Sequence, residues 1–399
     1  MSFLGALSAY TFCLYGRMVH SSQAHSLGEL WEKEKGKKTA WIISVASLTF
    51  CFGAALSYSI LLGDTFSALA QSVGLSGLAA ARYMWILLIT TIVIFPLCNL
   101  QSLLALAPLS IIGVFAILVT TIFLGWRCPS INASSPYAMA SGGALLQTLS
   151  SHQMPQFNTL SKGFGSPSSM ILGGMAASAY LGHFSAPAFY HSVRSTEEED
   201  TDVDHTVPNA NPLRDYLLVT FGGFGSVTLI NCLVMAFGFL TFGSSCSGVI
   251  LNNFSTTDVG ASLCRLLMAI CVMGGYPFLI SACRGEILEL WKRKSPRGLT
   301  RRLEKTVTTL LLTTLTGLSL VMKNAGFVIG LNGALMGSAI VYIFPSLLFL
   351  EHTKSLVRLT KRLRLERWLC RLLIGFGFAA AFVGGSVSII DNYFPHLLT

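Results

Sequence analysis

The chain has 399 residues, of which 52% are hydrophobic and 11% charged, and its mean hydropathy is +0.63. That is more apolar surface than a water-soluble domain can bury, so composition excludes an ordinary soluble enzyme or binding module and implies an integral membrane protein. The formal net charge of +9 does not indicate a nucleic-acid partner, because the basic residues form no groove or aromatic-lined platform and gather instead in alternate loops.

Apolar runs long enough to cross ~30 Å of hydrocarbon begin with a short one at 2–16 and continue at 40–63, 83–100, 103–126, 169–190, 216–242, 261–283, 306–322, 325–350 and 370–390. About ten transmembrane helices are therefore expected. The first, "SFLGALSAYTFCLYG", lacks the basic start and small-residue cleavage site of a signal peptide and reads as a spanning helix. If the loop after it is cytoplasmic, the loops 17–39, 191–215, 284–305 and 351–371 all lie inside and hold 22 of the 27 Lys and Arg, as the positive-inside rule requires. The stretches "LWKRKSPRGLTRRLEK" (290–305) and "HTKSLVRLTKRLRLERW" (352–368) dominate that count. They read as topology anchors against anionic headgroups, which makes membrane lipid an expected partner.

The two long outer loops of this topology, 127–168 and 243–260, each carry one glycosylation acceptor, Asn132 in "NAS" and Asn253 in "NFS",. They also carry Cys128 and Cys246, which form either a disulfide or two exposed thiols. Most of the ten cysteines lie inside spans, where a thiol behaves as a small apolar group. No CxxC or Cys/His spacing is present, so no metal site is expected. The acidic stretch "RSTEEEDTDVDHTVPNANP" (194–212) reads as a flexible connection between two halves.

Two segments interrupt their spans. In "AYLGHFSAPAFY" (179–190) Pro187 has no N–H for the carbonyl four residues back, that of His183, and Gly182 loosens the same turn. In "VMGGYPFLIS" (272–281) Pro277 does the same to Met273 beside Gly274 and Gly275, with Tyr276 and Ser281 adding side-chain oxygens. A carbonyl left unpaired in lipid costs several kcal/mol unless protein, water or an ion satisfies it, so broken helices at membrane depth line cavities. A proline used only for packing is the alternative at each place, and Pro96, Pro108 and Pro345 show how common prolines in apolar runs are here. No Asp, Glu, Lys or Arg is expected deep in a span, since Asp64 and Lys323 lie at ends. The absence of charge deep in the spans argues against a carboxylate proton relay. His183 is the deep titratable group: it is either satisfied by neighbouring carbonyls or titrates near neutrality beside a cavity, where acid would oppose a bound cation. Paired carboxylates, a Ser/His/Asp set and a metal cluster are all missing at membrane depth, which argues against an enzyme.

The segments "GALSAYTFCLYGRMVHSSQAHSLGELW" (5–31), "FGAALSYSILLGD" (52–64), "AYLGHFSAPAFYHSV" (179–193), "FGFLTFGS" (237–244) and "GLNGALMGSAIVYIFPSLLFLEH" (330–352) resemble, in order, the amino acid/auxin permease family. The likeness is greatest to the sodium-coupled neutral amino acid transporters of the amino acid-polyamine-organocation superfamily. The resemblance implies an all-α polytopic membrane protein with an inverted-repeat, leucine-transporter-like bundle, of eleven spans in the family, holding substrate near the bilayer midplane on unwound helices. By this likeness 169–190 matches the sixth span and 2–16 the second, so the family's first span has no counterpart here, and the chain alone is expected not to complete a transport cycle. The implied substrate-binding residues are Gly182, His183, Phe184 and Ser185 with Ser57 and Tyr58, although Tyr58 reads equally as an interfacial aromatic. The implied ion-binding residues are Met273, Gly274, Tyr276 and Ser281.

The expectation as a whole is one transmembrane transporter domain over 1–399. First-repeat helices occupy 1–126, an outer loop 127–168, second-repeat helices 169–350 and the last helix 370–390. The expected activity is secondary active transport of small neutral amino acids, coupled to sodium or protons, by alternating access. A non-transporting amino-acid sensor or scaffold, or a truncated transporter fragment, of the same fold is the alternative. A monomer is expected, with no cofactor beyond the transported sodium or proton, in the plasma membrane or the vacuolar or lysosomal membrane.

Overall fold

The computed structural model describes residues 1–100, 107–157, 167–180, 182–203, 211–294, 300–354 and 360–394. The described chain is helical: α1 (Ser2–Ser22), α2 (Leu27–Lys35), α3 (Trp41–Ser72), α4 (Arg82–Ile89), α5 (Phe95–Cys98), α6 (Ala107–Arg127), α7 (Pro167–Ala179), α8 (Ala186–Val203), α9 (Pro212–Phe242), α10 (Val259–Lys294), α11 (Arg301–Val321), α12 (Ala325–Asn332), α13 (Phe344–His352) and α14 (Lys361–Tyr393). No strand occurs among the described residues, only an isolated bridge between Gln156 and Gly243. Among these residues six helices are long and apolar enough to cross a membrane: Lys37–Ser72, Pro108–Arg127, Pro212–Phe242, Val259–Lys292, Ala325–His352 and Lys361–Tyr393.

Local chemistry explains most of the boundaries. Pro96 and Pro345 each follow a π-helical turn, Thr90–Ile94 and Ala339–Ile343, and each stands in the first turn of the helix that follows. A widened turn makes room for the ring and for the hydrogen bond that proline cannot donate, so neither residue ends its span. The expected flexible connector over 194–212 is corrected in its first half, where the backbone of α8 remains helical through Val203. Its glutamates are good helix formers and no Gly or Pro interrupts them before Pro208. Residues 204–210 lie outside the described residues.

The chain divides into two compact units. The first comprises Met1–Phe50, Gly165–Leu229 and Gly330–Thr399. Its axis is α1, in which Leu14, Tyr15, Met18 and Val19 are fully buried. Tyr216 of α9 donates from its hydroxyl to the Phe12 carbonyl at 3.1 Å and stacks on the Phe12 ring. The Tyr216 ring fills the space beside Gly16, where a Cβ would come within 2.1 Å of it. The tightest packing in the unit is between α7 and the π-helical turn Gly333–Gly337. A Cβ on Gly333 would lie 2.0 Å from the Gly174 carbonyl oxygen, and one on Gly174 would lie 2.6 Å from that of Gly330.

The second unit comprises Cys51–Phe164 and Ile230–Ile329. One apolar cluster gathers Ile60, Ile89, Tyr276, Ile280 and Leu315, and another gathers Leu124, Tyr137, Phe242 and Phe254. Beside the latter lies a polar clasp. Arg127 reaches Asp258 at 2.8 Å, and the Asp258 side chain is wholly buried. The same carboxylate accepts the Tyr137 hydroxyl at 3.2 Å and the Gly260 amide at 2.9 Å. Burial and the adjacent Asp258 carboxylate push the Tyr137 phenol up from its ordinary pKa. Arg265, only 2% exposed, donates to the carbonyls of Leu251, Phe254 and Ser255. This arginine lies nearly two turns from the start of α10, near the end of its span and not deep in it, and its guanidinium is satisfied by backbone oxygens instead of a carboxylate,.

In these loops Asn253 is 1% exposed and its amide nitrogen donates to the Ser245 carbonyl at 2.7 Å, while Ser255 bonds Thr148 and Thr257. Asn132 is half-buried, in a turn with Ser134. Of the two loop thiols Cys128 is buried and Cys246 exposed, and both are free in the structure.

Candidate functional site

The sequence-expected residues fall into two groups. Gly182, His183, Phe184 and Ser185 belong to the first unit, and Ser57, Tyr58, Met273, Gly274, Tyr276 and Ser281 to the second.

In the first unit the helix is broken. After Ala179 regular α-structure stops, Gly182 adopts φ −124° and ψ 4°, and a 3-10 turn covers His183–Ser185 before α8 begins at Ala186. The Gly182 carbonyl accepts both the Ser185 amide at 3.0 Å and the Ser185 hydroxyl at 2.7 Å, which closes the turn. Pro187 does not make the break. It stands in the first turn of α8, where an N–H has no helical partner in any case. The His183 carbonyl, expected to be free, accepts the Ala186 amide. Helix ends at such a break carry partial charges, positive at the start of α8 and negative at the end of α7, and they attract a carboxylate and an ammonium or cation respectively.

His183 holds the broken segment on α1. It is fully buried, with Nε2 3.1 Å from the Ser8 carbonyl oxygen and 3.0 Å from the Thr11 hydroxyl. A carbonyl only accepts, so the hydrogen is assigned to Nε2. The Nδ1 lone pair has no hydrogen-bond partner among the described residues. The rings of Phe12, Tyr15 and Phe224 stand edge-on to the imidazole at 5.4, 6.1 and 6.1 Å. Gly182 and Ser185 face the other way, into a cleft of about 440 Å³ that they line with Phe12, Tyr180, Phe189, Thr220 and Phe224. Phe184 is half-buried. The cleft is mostly apolar with a few convergent polar groups, the ordinary character of a small-molecule site.

In the second unit the expected second break does not form, and α10 stays helical through Pro277. Its two glycines make packing space: a Cβ on Gly274 would stand 2.9 Å from Leu109, and one on Gly275 3.4 Å from the Tyr58 ring. Tyr276 is buried and its hydroxyl pairs with Ser59 at 2.7 Å; Ser59 in turn donates to the Ala55 carbonyl. Tyr58 lies alongside, its ring 6.5 Å from that of Tyr276. The Ser57 hydroxyl donates to the Gly53 carbonyl within its own helix at 3.0 Å, while Met273 and Ser281 are half-buried. Structure thus gathers Tyr58 and Tyr276, and adds Gly275 and Ser59, while Gly274 packs on Leu109. Sequence reasoning passed over Ser59 because a serine next to Ser57 and Tyr58 carries no signal of which hydroxyl faces a partner. Among the described residues no group of three or more His, Cys, Asp and Glu side chains is placed to hold a metal ion.

A family profile described as transmembrane amino acid transporter protein matches residues 1–390. The chain is 24% identical over 382 residues to vacuolar amino acid transporter 2 of Saccharomyces cerevisiae, an alignment that covers 90% of this chain and 70% of that protein. It is 28% identical over 159 residues to sodium-coupled neutral amino acid transporter 7 of Danio rerio, over 37% of this chain and 34% of that protein.

Proposed function

This chain belongs to the transmembrane amino acid transporter family, and from that premise we propose that it is a secondary active carrier of small neutral amino acids, driven by a sodium or proton gradient. It is an integral membrane protein of a transporter family, not an enzyme. The observation that carries the finer reading is the broken segment between α7 and α8, with Gly182 and Ser185 facing the cleft and His183 pinned to Ser8 and Thr11. Opposed helix ends beside an apolar cleft with no acidic or basic side chain among the described residues of its lining favour a zwitterion with a short uncharged side chain,. The names of the two relatives, one a vacuolar amino acid transporter and one a sodium-coupled neutral amino acid transporter, support an amino acid cargo.

In this reading ten spans form one inverted-repeat domain of the leucine-transporter type. The segment at Gly182 binds the cargo, the cluster of Tyr58, Ser59 and Tyr276 in the second unit forms part of an ion site, and the protein works as a monomer among lipids without a resident cofactor. Its membrane is the plasma membrane or that of the vacuole or lysosome. The test is uptake of a panel of neutral amino acids by proteoliposomes holding the purified protein, with a sodium gradient, a proton gradient or neither. Gradient-dependent uptake of alanine-sized substrates is expected on this reading, in place of the incomplete cycle expected from the sequence alone. Binding without uptake under every gradient would replace the carrier with a sensor of the same fold.

A further inference from the structure

The first unit contains a second cleft, of about 660 Å³, at the basic ends of α1, α9, α13 and α14. Its walls change character along their length. Leu14, Leu213, Leu217, Phe221 and Phe349 make an apolar trough, and Phe221 is 56% exposed, so the trough opens sideways on the outer face of α9. The crown is polar and carries Arg17, Ser21, His352, Thr360, Arg362 and Glu366.

Charge in that crown is unbalanced. Glu366 is the acceptor for two guanidinium groups, with Oε2 3.1 Å from Arg17 and Oε1 3.5 Å from Arg362. One carboxylate between two arginines leaves a positive charge over. The neighbouring groups do not cancel it: His352 is turned to Glu34 at 2.7 Å and to Ser21, and Lys354 is paired with Glu351. Arg17 is held in place by its position 5.0 Å over the Phe349 ring. The start of α14, capped by the Thr360 hydroxyl on the Leu363 amide, adds the positive end of a helix to the same spot.

We propose that this cleft is a binding site for one anionic phospholipid, its headgroup phosphate between Arg17, Arg362 and the first turn of α14, and an acyl chain along Leu213, Leu217 and Phe221. An apolar trough open to the bilayer beneath a crown with surplus positive charge fits an amphiphile of that sign and no water-soluble anion. The occupancy is independent of the transported cargo.

The test takes the full chain from bilayers of mixed phosphatidylserine and phosphatidylcholine and counts retained lipids by native mass spectrometry. Phosphatidylserine is expected to be retained in preference. Arg17→Gln and Arg362→Gln should each lower that preference about fivefold, the effect of about 1 kcal/mol per basic residue near a lipid surface. Arg17→Lys, which keeps the charge, should keep most of it. Leu217→Trp should reduce retention of both lipids by filling the trough, and Lys354→Gln, outside the cleft, should change nothing. Variants are compared only where the melting temperature matches wild type. The proposal is overturned if the double arginine variant keeps the wild-type preference or if Lys354→Gln removes as much of it. It is also overturned if soluble glycerophosphoserine displaces the lipid as well as diacyl phosphatidylserine does.

Discussion

The segments 179–190 and 272–281 look alike in sequence, each an apolar run with glycine, an aromatic residue and proline, yet one is broken and the other is continuous helix. The difference is not the proline. Pro187 opens α8 and Pro277 lies within α10. What distinguishes them is where the polar groups find partners. In the first, His183 bonds the Ser8 carbonyl and Thr11 hydroxyl of α1, and the Gly182 carbonyl takes both groups of Ser185, so an unwound turn leaves few groups unsatisfied. In the second, Tyr276 finds Ser59 without leaving the helix, and Gly274 and Gly275 give their space to Leu109 and Tyr58. In an apolar solvent a helix unwinds where something else holds the backbone, and a proline alone does not supply that.

This comparison can be broken in graded steps, read as unfolding stability in detergent. The largest loss is expected for Gly333→Ala, because its Cβ would lie 2.0 Å from the Gly174 carbonyl oxygen and 2.2 Å from the Ser178 hydroxyl. Backbone cannot step aside as a side chain can, so the seat of α7 should fail at a cost of about 3 kcal/mol or more. His183→Ala removes a buried ring and the donor to Ser8, for about 2–3 kcal/mol, and His183→Gln should recover part of it. Tyr276→Phe deletes one buried hydrogen bond on the continuous side and should cost about 1 kcal/mol. Gly182→Ala is the mildest. The nearest atom to its Cβ is 4.0 Å away and its φ is −124°, so stability should shift by less than about 0.5 kcal/mol. A ranking in which Tyr276→Phe exceeds His183→Ala would mean that the second segment, not the first, is the one held by its polar contacts.

One functional expectation sharpens the same contrast. From the sequence His183 is either satisfied by neighbouring carbonyls or set beside a cavity where it confers acid sensitivity; in the fold its Nε2 is committed to the Ser8 carbonyl of α1, and Phe12 and Phe224 stand between the ring and the cleft. His183→Gln is therefore expected to leave the shape of the pH profile of uptake unchanged while lowering thermal stability. A flattened profile would return the imidazole to the cargo site.

Legibility followed the range of the interaction that decides each feature. The apolar runs appear as helices where they were expected, because hydropathy over a span is a property of the segment itself. The break at Gly182 and its neighbours was legible through residue types that spanning helices avoid. Features set by distant partners were not. Which way His183 turns depends on Ser8 and Thr11, Asn253 is buried by bonds to Ser245 and Ser247, and Arg265 is tolerated because loop carbonyls of Leu251, Phe254 and Ser255 converge on it. Nothing in the sequence near these residues announces those partners.

The central claim is that the unwound segment faces the cargo, and thiol protection tests it most directly. Ser185 is exposed on the cleft, so a Ser185→Cys variant, referred to wild type to account for native Cys246, should react readily with a small thiol reagent in proteoliposomes. A transported neutral amino acid should slow that reaction in step with its saturation of uptake, and a dicarboxylic amino acid should not. Labelling of Ser185→Cys that proceeds at the same rate with and without saturating transported substrate would contradict the assignment of this segment as the binding site.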